Sequence, residues 1–355
     1  MRAVKDQEFP HDLLPSLRDV EFVCPLCHGC LSVSAQEYDC GKCQKKYPLH
    51  AGIPDFRVFP DPYLDFEEDR ERTEIVLAGL EKYELEKLLE YYWSFSDITP
   101  ENLRAKFVRS AMLGEERSRQ TLNLLENTVS GKINKKRVLE IGSGTGNFMV
   151  AAAGNCGQII GTDIAMRWLH LSRRRFMDKG LPIPALVCCC AEFLPFGDES
   201  FDLVTSTSTV EFVSDQLKVI GESYRVLKSD GAMHLSSVNR FSVAKEPYSY
   251  LWGVGFLPAG LRAQYVRWRS NAVYKANTLS YRQIKDLTNG PFSDMVTLLP
   301  DISASSLASM PQFTRFQIYI YRILKKIPLF SLVLRHLGPG WDIFLRKNPH
   351  QEKGF

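Results

Sequence analysis

The stretch Val138-Leu-Glu-Ile-Gly-Ser-Gly-Thr-Gly-Asn-Phe148 constrains this chain more than any other. A run of strand formers stops at Gly142, and Gly144 and Gly146 follow at two-residue spacing. Glycines so placed adopt positive φ without a Cβ penalty and let backbone approach a ligand closely. A strand that turns through such a loop into a helix is the opening of a βαβ unit, which commits the chain to a parallel sheet covered by helices. In the related G-x-G-x-x-G loop a pyrophosphate sits at the helix N-terminus. Here the spacing is G-x-G-x-G, with acidic Glu140 two positions before the first glycine. A dinucleotide loop and a tight turn without ligand are both open at this point.

The sequence beyond the loop keeps alternating, so the fold class is α/β. Strands are expected at 137–141, 158–162, 185–189, 201–206 and 232–238, with helices at 164–179 and 215–227 between them. Two later strands are expected at 294–299 and 341–346. About twenty residues after the loop, Gly161-Thr-Asp163-Ile164 places a carboxylate at the end of the second strand, where it can accept from both hydroxyls of a ribose. Then come Cys190-Ala191-Glu192-Phe-Leu194-Pro195-Phe196, Phe201-Asp-Leu-Val204 and Tyr224-Arg225-Val-Leu-Lys-Ser-Asp-Gly231.

In order and spacing these blocks resemble the small-molecule type of class I S-adenosylmethionine-dependent methyltransferases, over roughly 137–240. The resemblance implies a Rossmann-like parallel sheet and S-adenosyl-L-methionine as cofactor. It implies that Glu140, Gly142, Ser143, Gly144 and Gly146 pass beneath the methionine and ribose, and that Asp163 and Ile164 meet the ribose. Ala191 and Glu192 would meet the adenine, and Thr207, after the fourth strand, completes the cofactor set. One position departs from the family: Cys190 stands where an aspartate usually accepts from the adenine amino group. Either the backbone at Ala191 and Glu192 hold the adenine, or that contact is lost.

Nine cysteines accompany an N-terminus without an apolar core of export-signal length. A reducing, cytoplasmic setting is expected, with metal ligands or free thiols favoured over disulfides. Cys24, Cys27, Cys40 and Cys43 form C-x2-C-x12-C-x2-C, two thiolate pairs able to present a tetrahedral site to structural Zn2+. Cys30 adds an iron–sulfur alternative. The segment also resembles the small ribbon domains that accompany certain methyltransferases. The expected organisation is a zinc ribbon at 20–58, a helical connector at 60–130 and a methyltransferase domain at 131–355. That domain carries aromatic and basic cap insertions at about 241–280 and 305–338.

The acceptor side is less determined. Glu211 is the one candidate for a general base, although a surface or helix-start carboxylate is the preferred reading of it; His234 reads as a packed core histidine. No N-P-P-Y or D-P-P-Y tetrapeptide follows the fourth strand, which argues against methylation of exocyclic base amines. From Arg240 onward the chain holds sixteen Lys/Arg against six Asp/Glu, although its overall net charge is only +3. Aromatics interleaved with arginines, as in Tyr248, Tyr250, Trp252, Arg262, Tyr265, Arg267, Trp268, Arg269 and Tyr274, suit a small-molecule or glycan acceptor, phosphorylated or lipid-linked. Nucleic acid is the second choice, and an aromatic-packed lid is the bland one. Residues 313–337 are expected to form a core-packed amphipathic helix broken at Pro328; peripheral contact with an anionic membrane is the alternative. The expected function is methyl transfer to an oxygen of a small-molecule, glycan or carrier-linked acceptor. The alternatives are an RNA methyltransferase with a ribbon RNA-binding module and a non-catalytic, cofactor-binding partner subunit.

Overall fold

A computed structural model describes residues 13–348 except 35, 97–98, 131, 303–306 and 309. The N-terminal stretch read for an export signal lies almost wholly outside the described residues. Four short strands come first: β1 (Leu31–Val33), β2 (Glu37–Cys40), β3 (Lys46–His50) and β4 (Ile53–Pro54), joined as an antiparallel meander. Three helices form the connector: α1 (Phe66–Leu80), α2 (Leu85–Ser94) and α3 (Glu101–Leu125). Asp65 starts α1 with a capping box, accepting from the Glu68 N–H while Glu68 accepts from the Asp65 N–H.

The alternating region follows as β5 (Arg137–Ile141), α4 (Asn147–Ala152), β6 (Gln158–Asp163), α5 (Met166–Asp178), β7 (Ala185–Cys188), β8 (Phe201–Thr207), α6 (Gln216–Val226) and β9 (Leu227–Val238). Each expected strand is present within a few residues. After it come α7 (Ala259–Ser270), α8 (Tyr281–Thr288), β10 (Phe292–Leu298), α9 (Gln312–Leu324), α10 (Pro328–Leu337) and β11 (Gly340–Lys347). The seven-stranded sheet runs β10-β11-β9-β8-β5-β6-β7, with only β11 antiparallel to its neighbours. Strand order therefore reverses between β5 and β8. In an open α/β sheet a crevice opens at that point beyond the carboxyl ends of the strands, and ligands bind there.

The ribbon does not stand apart from this sheet. Asp55 bridges Cys188 in parallel and the Phe56 N–H donates to the Cys188 carbonyl at 2.7 Å, so the ribbon's exit strand covers the β7 edge. Phe22, Tyr38, Tyr47 and Phe56 form an aromatic cluster that reaches Phe196, 5.8 Å from Phe22, and joins the sheet's own core.

The C-terminal helices differ from expectation. The break at Pro328 is found, but the helices are not core-packed: α9 buries only Ile318 and α10 buries no residue. Phe313, Phe316, Ile320 and Ile323 recur at helical spacing on one face of α9, and that face meets solvent. No helix among the described residues is long and apolar enough to cross a membrane.

A buried ion cluster ties the parts together. Asp69 of α1 is fully buried between Arg57, whose Nη1 lies 2.6 Å away, and Arg167 of α5. Arg57 also pairs with Asp55 at 2.6 Å, and Arg167 with Asp61 at 2.8 Å and the Tyr92 hydroxyl at 3.0 Å. Removing one partner of such a set strands an uncompensated charge, which typically costs about 3–5 kcal/mol. Asp69→Ala is expected to lower the unfolding free energy by about that much, whereas the exposed cap change Asp65→Ala costs about 1 kcal/mol. Urea unfolding of both variants beside wild type checks the contrast.

Candidate active site

The crevice at the strand reversal is floored by the glycine loop. Gly142 has φ +70, and a Cβ there would lie 2.1 Å from Thr209 Oγ1. That hydroxyl donates to the Ile141 carbonyl at 3.2 Å, so the loop after β8 clamps the loop after β5. Gly144, at φ +51, has nothing within 4 Å of where its Cβ would stand, and its backbone faces open space. The far side is fixed by Arg175 of α5, whose Nε donates to the Thr145 carbonyl at 2.6 Å. Sequence patterns marked the glycines but not Arg175, since an arginine in a helix carries no motif of its own.

Two acids face this loop. Asp163, at the end of β6, accepts from the Gly144 N–H and the Ala165 N–H, each at 2.9 Å. Burial pushes its carboxyl up to about 6, against the pull of those two N–H groups. One bond per oxygen leaves acceptor capacity on both, as two ribose hydroxyls require. Glu140 is buried at the sheet end, and its Oε2 has no hydrogen-bond partner in the chain among the described residues. Burial, then the neighbouring charge of Asp163, raises its carboxyl well above the usual range. A buried, unpaired carboxylate beside an open glycine backbone fits a ligand that brings its own donors. S-adenosylmethionine does so through its ammonium and ribose, and Glu140, Ser143, Gly144 and Asp163 are the residues that would hold it.

The adenine end is built differently from the family pattern. The Cys190 thiol accepts from the Val58 N–H at 3.4 Å and donates to the Phe59 carbonyl at 3.5 Å, so the linker leaving the ribbon crosses directly over it. Burial pushes this thiol up to about 11. Ala191 is half-buried and adjoins it. Glu192 turns away toward the loop before α6, its Oε1 accepting from Ser214 N at 2.7 Å and Asp215 N at 3.2 Å. Ile164 is half-buried beside Asp163, and its carbonyl accepts from Arg57 Nη1 at 3.2 Å.

Across the crevice, β8 ends at exposed Thr207, and Ser208 takes the strained φ of +53. That turn drives Glu211 inward. It is fully buried, not the surface or helix-start carboxylate weighed from sequence. Glu211 Oε1 accepts from Ser237 Oγ at 2.9 Å and Val238 N at 2.7 Å, while Oε2 is buried without a partner. Burial raises its carboxyl, and the nearby charge of Glu246 adds to the effect. The hydroxyls of Tyr248 and Tyr274 are likewise buried, with the Ser208 and Thr278 hydroxyls as their polar neighbours. The Tyr248 hydroxyl is pushed well up by burial and then by the charge of Glu211. Phe212 packs edge-on against Tyr248 at 4.7 Å, and Tyr63, on the linker, closes the far wall at 6.1 Å from Phe212. His234 is buried between Thr205 Oγ1 and Asp342, at 2.9 and 3.1 Å, as a packed core histidine.

Cys24, Cys27, Cys40 and Cys43 converge, with all four Sγ atoms within 4.8 Å of one another. Cys24–Cys43 and Cys27–Cys40 are each 3.5 Å apart, near the roughly 3.8 Å edge of a tetrahedron with 2.3 Å Zn–S bonds. Cys30 is exposed and outside the cluster, and His50 faces Glu74 instead, so neither joins the thiol set.

Residues 139–235 match the family described as "Methyltransferase domain". Over 121 residues the chain is 36% identical to the ubiquinone/menaquinone biosynthesis C-methyltransferase of Burkholderia mallei, a match covering 33% of this chain and 48% of that one. The chain thus spans about half the length of the curated relatives it matches. Solved structures include a Thermotoga maritima SAM-dependent methyltransferase, at 19% identity and a TM-score of 0.44, covering 69% of this chain and 97% of that one. A Haemonchus contortus phosphoethanolamine N-methyltransferase in complex with S-adenosyl-L-methionine aligns at 18% identity and a TM-score of 0.45, covering 86% and 62%. The glycine loop, its two acids and the strand reversal all lie inside or beside the segment that matches the methyltransferase-domain family.

Proposed function

We propose that this protein transfers a methyl group from S-adenosylmethionine to an oxygen of a small-molecule or glycan acceptor, with Glu211 as general base. The observation that carries this reading is the buried, unpaired Oε2 of Glu211, close to the buried Tyr248 ring and hydroxyl. A buried acid oxygen without a partner among aromatic side chains suits a ligand that donates a hydrogen bond. The bound cofactor supplies an electrophilic methyl on a sulfonium. Glu211, held at Oε1 by Ser237 and Val238, receives the acceptor's hydroxyl proton at Oε2. Its raised pKa makes it the stronger base for that task. Tyr63, Phe212 and Tyr248 orient the acceptor by ring contact and exclude water.

A second reading, transfer to a ring carbon, is favoured by the likeness to the C-methyltransferases. A phenolic acceptor offers oxygen and carbon to the same base, and the mass spectrum of a hydrolysed product separates the two. For the ribbon, we propose that Cys24, Cys27, Cys40 and Cys43 hold one structural Zn2+, as their spacing supports.

Three outcomes follow. Glu211→Gln is expected to lower kcat about 10²- to 10⁴-fold with the cofactor Kd unchanged, read by calorimetry beside turnover. Equal loss of binding and rate would remove the base assignment. Cofactor affinity is expected to fall as pH drops through about 6, because protonated Asp163 loses acceptor capacity for ribose hydroxyls. The loss approaches tenfold per pH unit below that point, and Asp163→Asn binds weakly with a flat profile. Elemental analysis is expected to find one zinc per chain, with Cys40→Ser losing both the metal and thermal stability.

A further inference from the structure

Among the described residues, the basic C-terminal region exposes a broad apolar surface. On α9, Phe313, Phe316, Ile320 and Ile323 are exposed; on α10, Leu329, Phe330, Leu332 and Val333 are. Phe313 and Leu329 are 71% and 70% exposed, far beyond the single scattered apolar residues normal on a soluble surface. The cap adds Trp252, Phe256, Leu261 and Trp268, the last 77% exposed. The two groups are continuous. The Val243 N–H donates to the Leu337 carbonyl at 3.0 Å, Phe241 packs on Phe256 at 5.5 Å, and Val243 is itself exposed.

Charge tells what covers this surface. No Asp or Glu occurs between Asp301 and Asp342, a stretch carrying Arg315, Arg322, Lys325, Lys326 and Arg335, of which Arg322 and Lys325 pair with Asp301 at 2.9 Å. None occurs between Glu246 and Asp286, where Arg262, Arg267, Arg269, Lys275, Arg282 and Lys285 lie. Arg267 and Arg269 are exposed on either side of Trp268, with Arg269 stacked 5.4 Å from its ring. Exposed aromatics flanked by cations and free of acids are the composition of a helix lying in a lipid headgroup layer. Helices of 13 and 10 residues are far too short to span, since crossing takes about 20.

We propose that α9, α10 and the exposed rim of the cap seat on an anionic membrane surface, and that the methyl acceptor is a lipid-linked molecule drawn from it. The second half rests on the methyl-transfer reading above. The surface lies close to Glu211: Val238, whose N–H holds that carboxylate, is joined by a short stretch of chain to exposed Val243, which meets α10 at the Leu337 carbonyl. A headgroup held at the membrane is thus kept near the acceptor side while its lipid stays in the bilayer. Arg240 lies on that stretch and supplies a cation for a phosphate in the linkage.

The test is co-sedimentation of the full chain with vesicles of phosphatidylcholine alone and with one-third phosphatidylglycerol. Partition is expected on the anionic vesicles, weakening with salt, and falling about tenfold or more in Phe313→Ser/Leu329→Ser with the melting temperature unchanged. A second variant, Arg267→Gln/Arg269→Gln, is expected to weaken anionic binding and leave any neutral binding alone. No sedimentation with either vesicle would overturn the proposal. So would a discrete dimer that Phe313→Ser/Leu329→Ser splits in sedimentation velocity, since a second copy would then be the cover. Vesicle binding needs no turnover, so its failure is separable from failure of the methyl-transfer reading, which cofactor calorimetry tests alone.

Discussion

Asp69 is the point on which three parts of this chain depend. Buried on the first connector helix, it neutralises Arg57 from the ribbon's exit and Arg167 from the helix after the second parallel strand. Each guanidinium has a second carboxylate, Asp55 for Arg57 and Asp61 for Arg167, but Asp69 is the group that joins the two pairs into one buried set. The consequence reaches the cofactor end of the crevice. Arg57 also holds the carbonyl of Ile164, and the charges of Asp61 and Arg167 act in opposite senses on Asp163. Ribbon and connector are thereby part of the wall of the site, although the family match begins only at residue 139.

This explains which features the sequence made legible. The sheet could be read strand by strand, because parallel strands buried on both faces are continuous apolar runs and their turns are marked by glycine and aspartate. The glycines, Asp163 and the four ribbon cysteines could be read because their chemistry needs fixed residue types at fixed spacing. Arg57, Asp61, Asp69 and Arg167 could not. They meet across about a hundred residues of chain, and an arginine or aspartate at a helix end has no periodicity to betray burial. Glu211 lay between the two cases. Its place after the fourth strand was readable, but its inward turn follows from the positive φ at Ser208, and nothing in a Thr-Ser-Thr run announces that. The exposed face of α9 was misjudged for a related reason: an apolar stripe looks the same whether it meets a core or a solvent-side partner.

Cys190 becomes intelligible in the same frame. A family aspartate at this position would be an acceptor only, and here it would face the Phe59 carbonyl oxygen at close range with no donor to answer it. A thiol can donate to that carbonyl and accept from the Val58 N–H at once. Kept protonated by burial, it carries no charge to desolvate. The substitution thus goes with the ribbon: the linker that follows the four ribbon cysteines occupies the space beside residue 190, and the residue suits the linker. Glu192 is directed instead to the turn before α6.

The crevice is costly to the fold that holds it. Glu140, Asp163, Glu211 and Glu246 are all buried at or beyond the carboxyl ends of neighbouring strands, and burial raises each of them. A carboxyl raised in the folded state binds its proton more tightly there than in the unfolded chain. Its contribution therefore favours folding at acid pH and turns against folding as pH rises above the unfolded value. At neutral pH these groups oppose the native state unless a ligand or a donor satisfies them. Asp163 and Glu246 have backbone donors, Glu211 has two at one oxygen, and Glu140 has an oxygen with none. The two acids with an unpaired oxygen, Glu140 and Glu211, are the ones proposed to meet the cofactor and the acceptor. The positive φ at Ser208 falls in the same loop as Glu211. The wide hydrophobic core and the buried Asp69 cluster carry the cost of these buried acids.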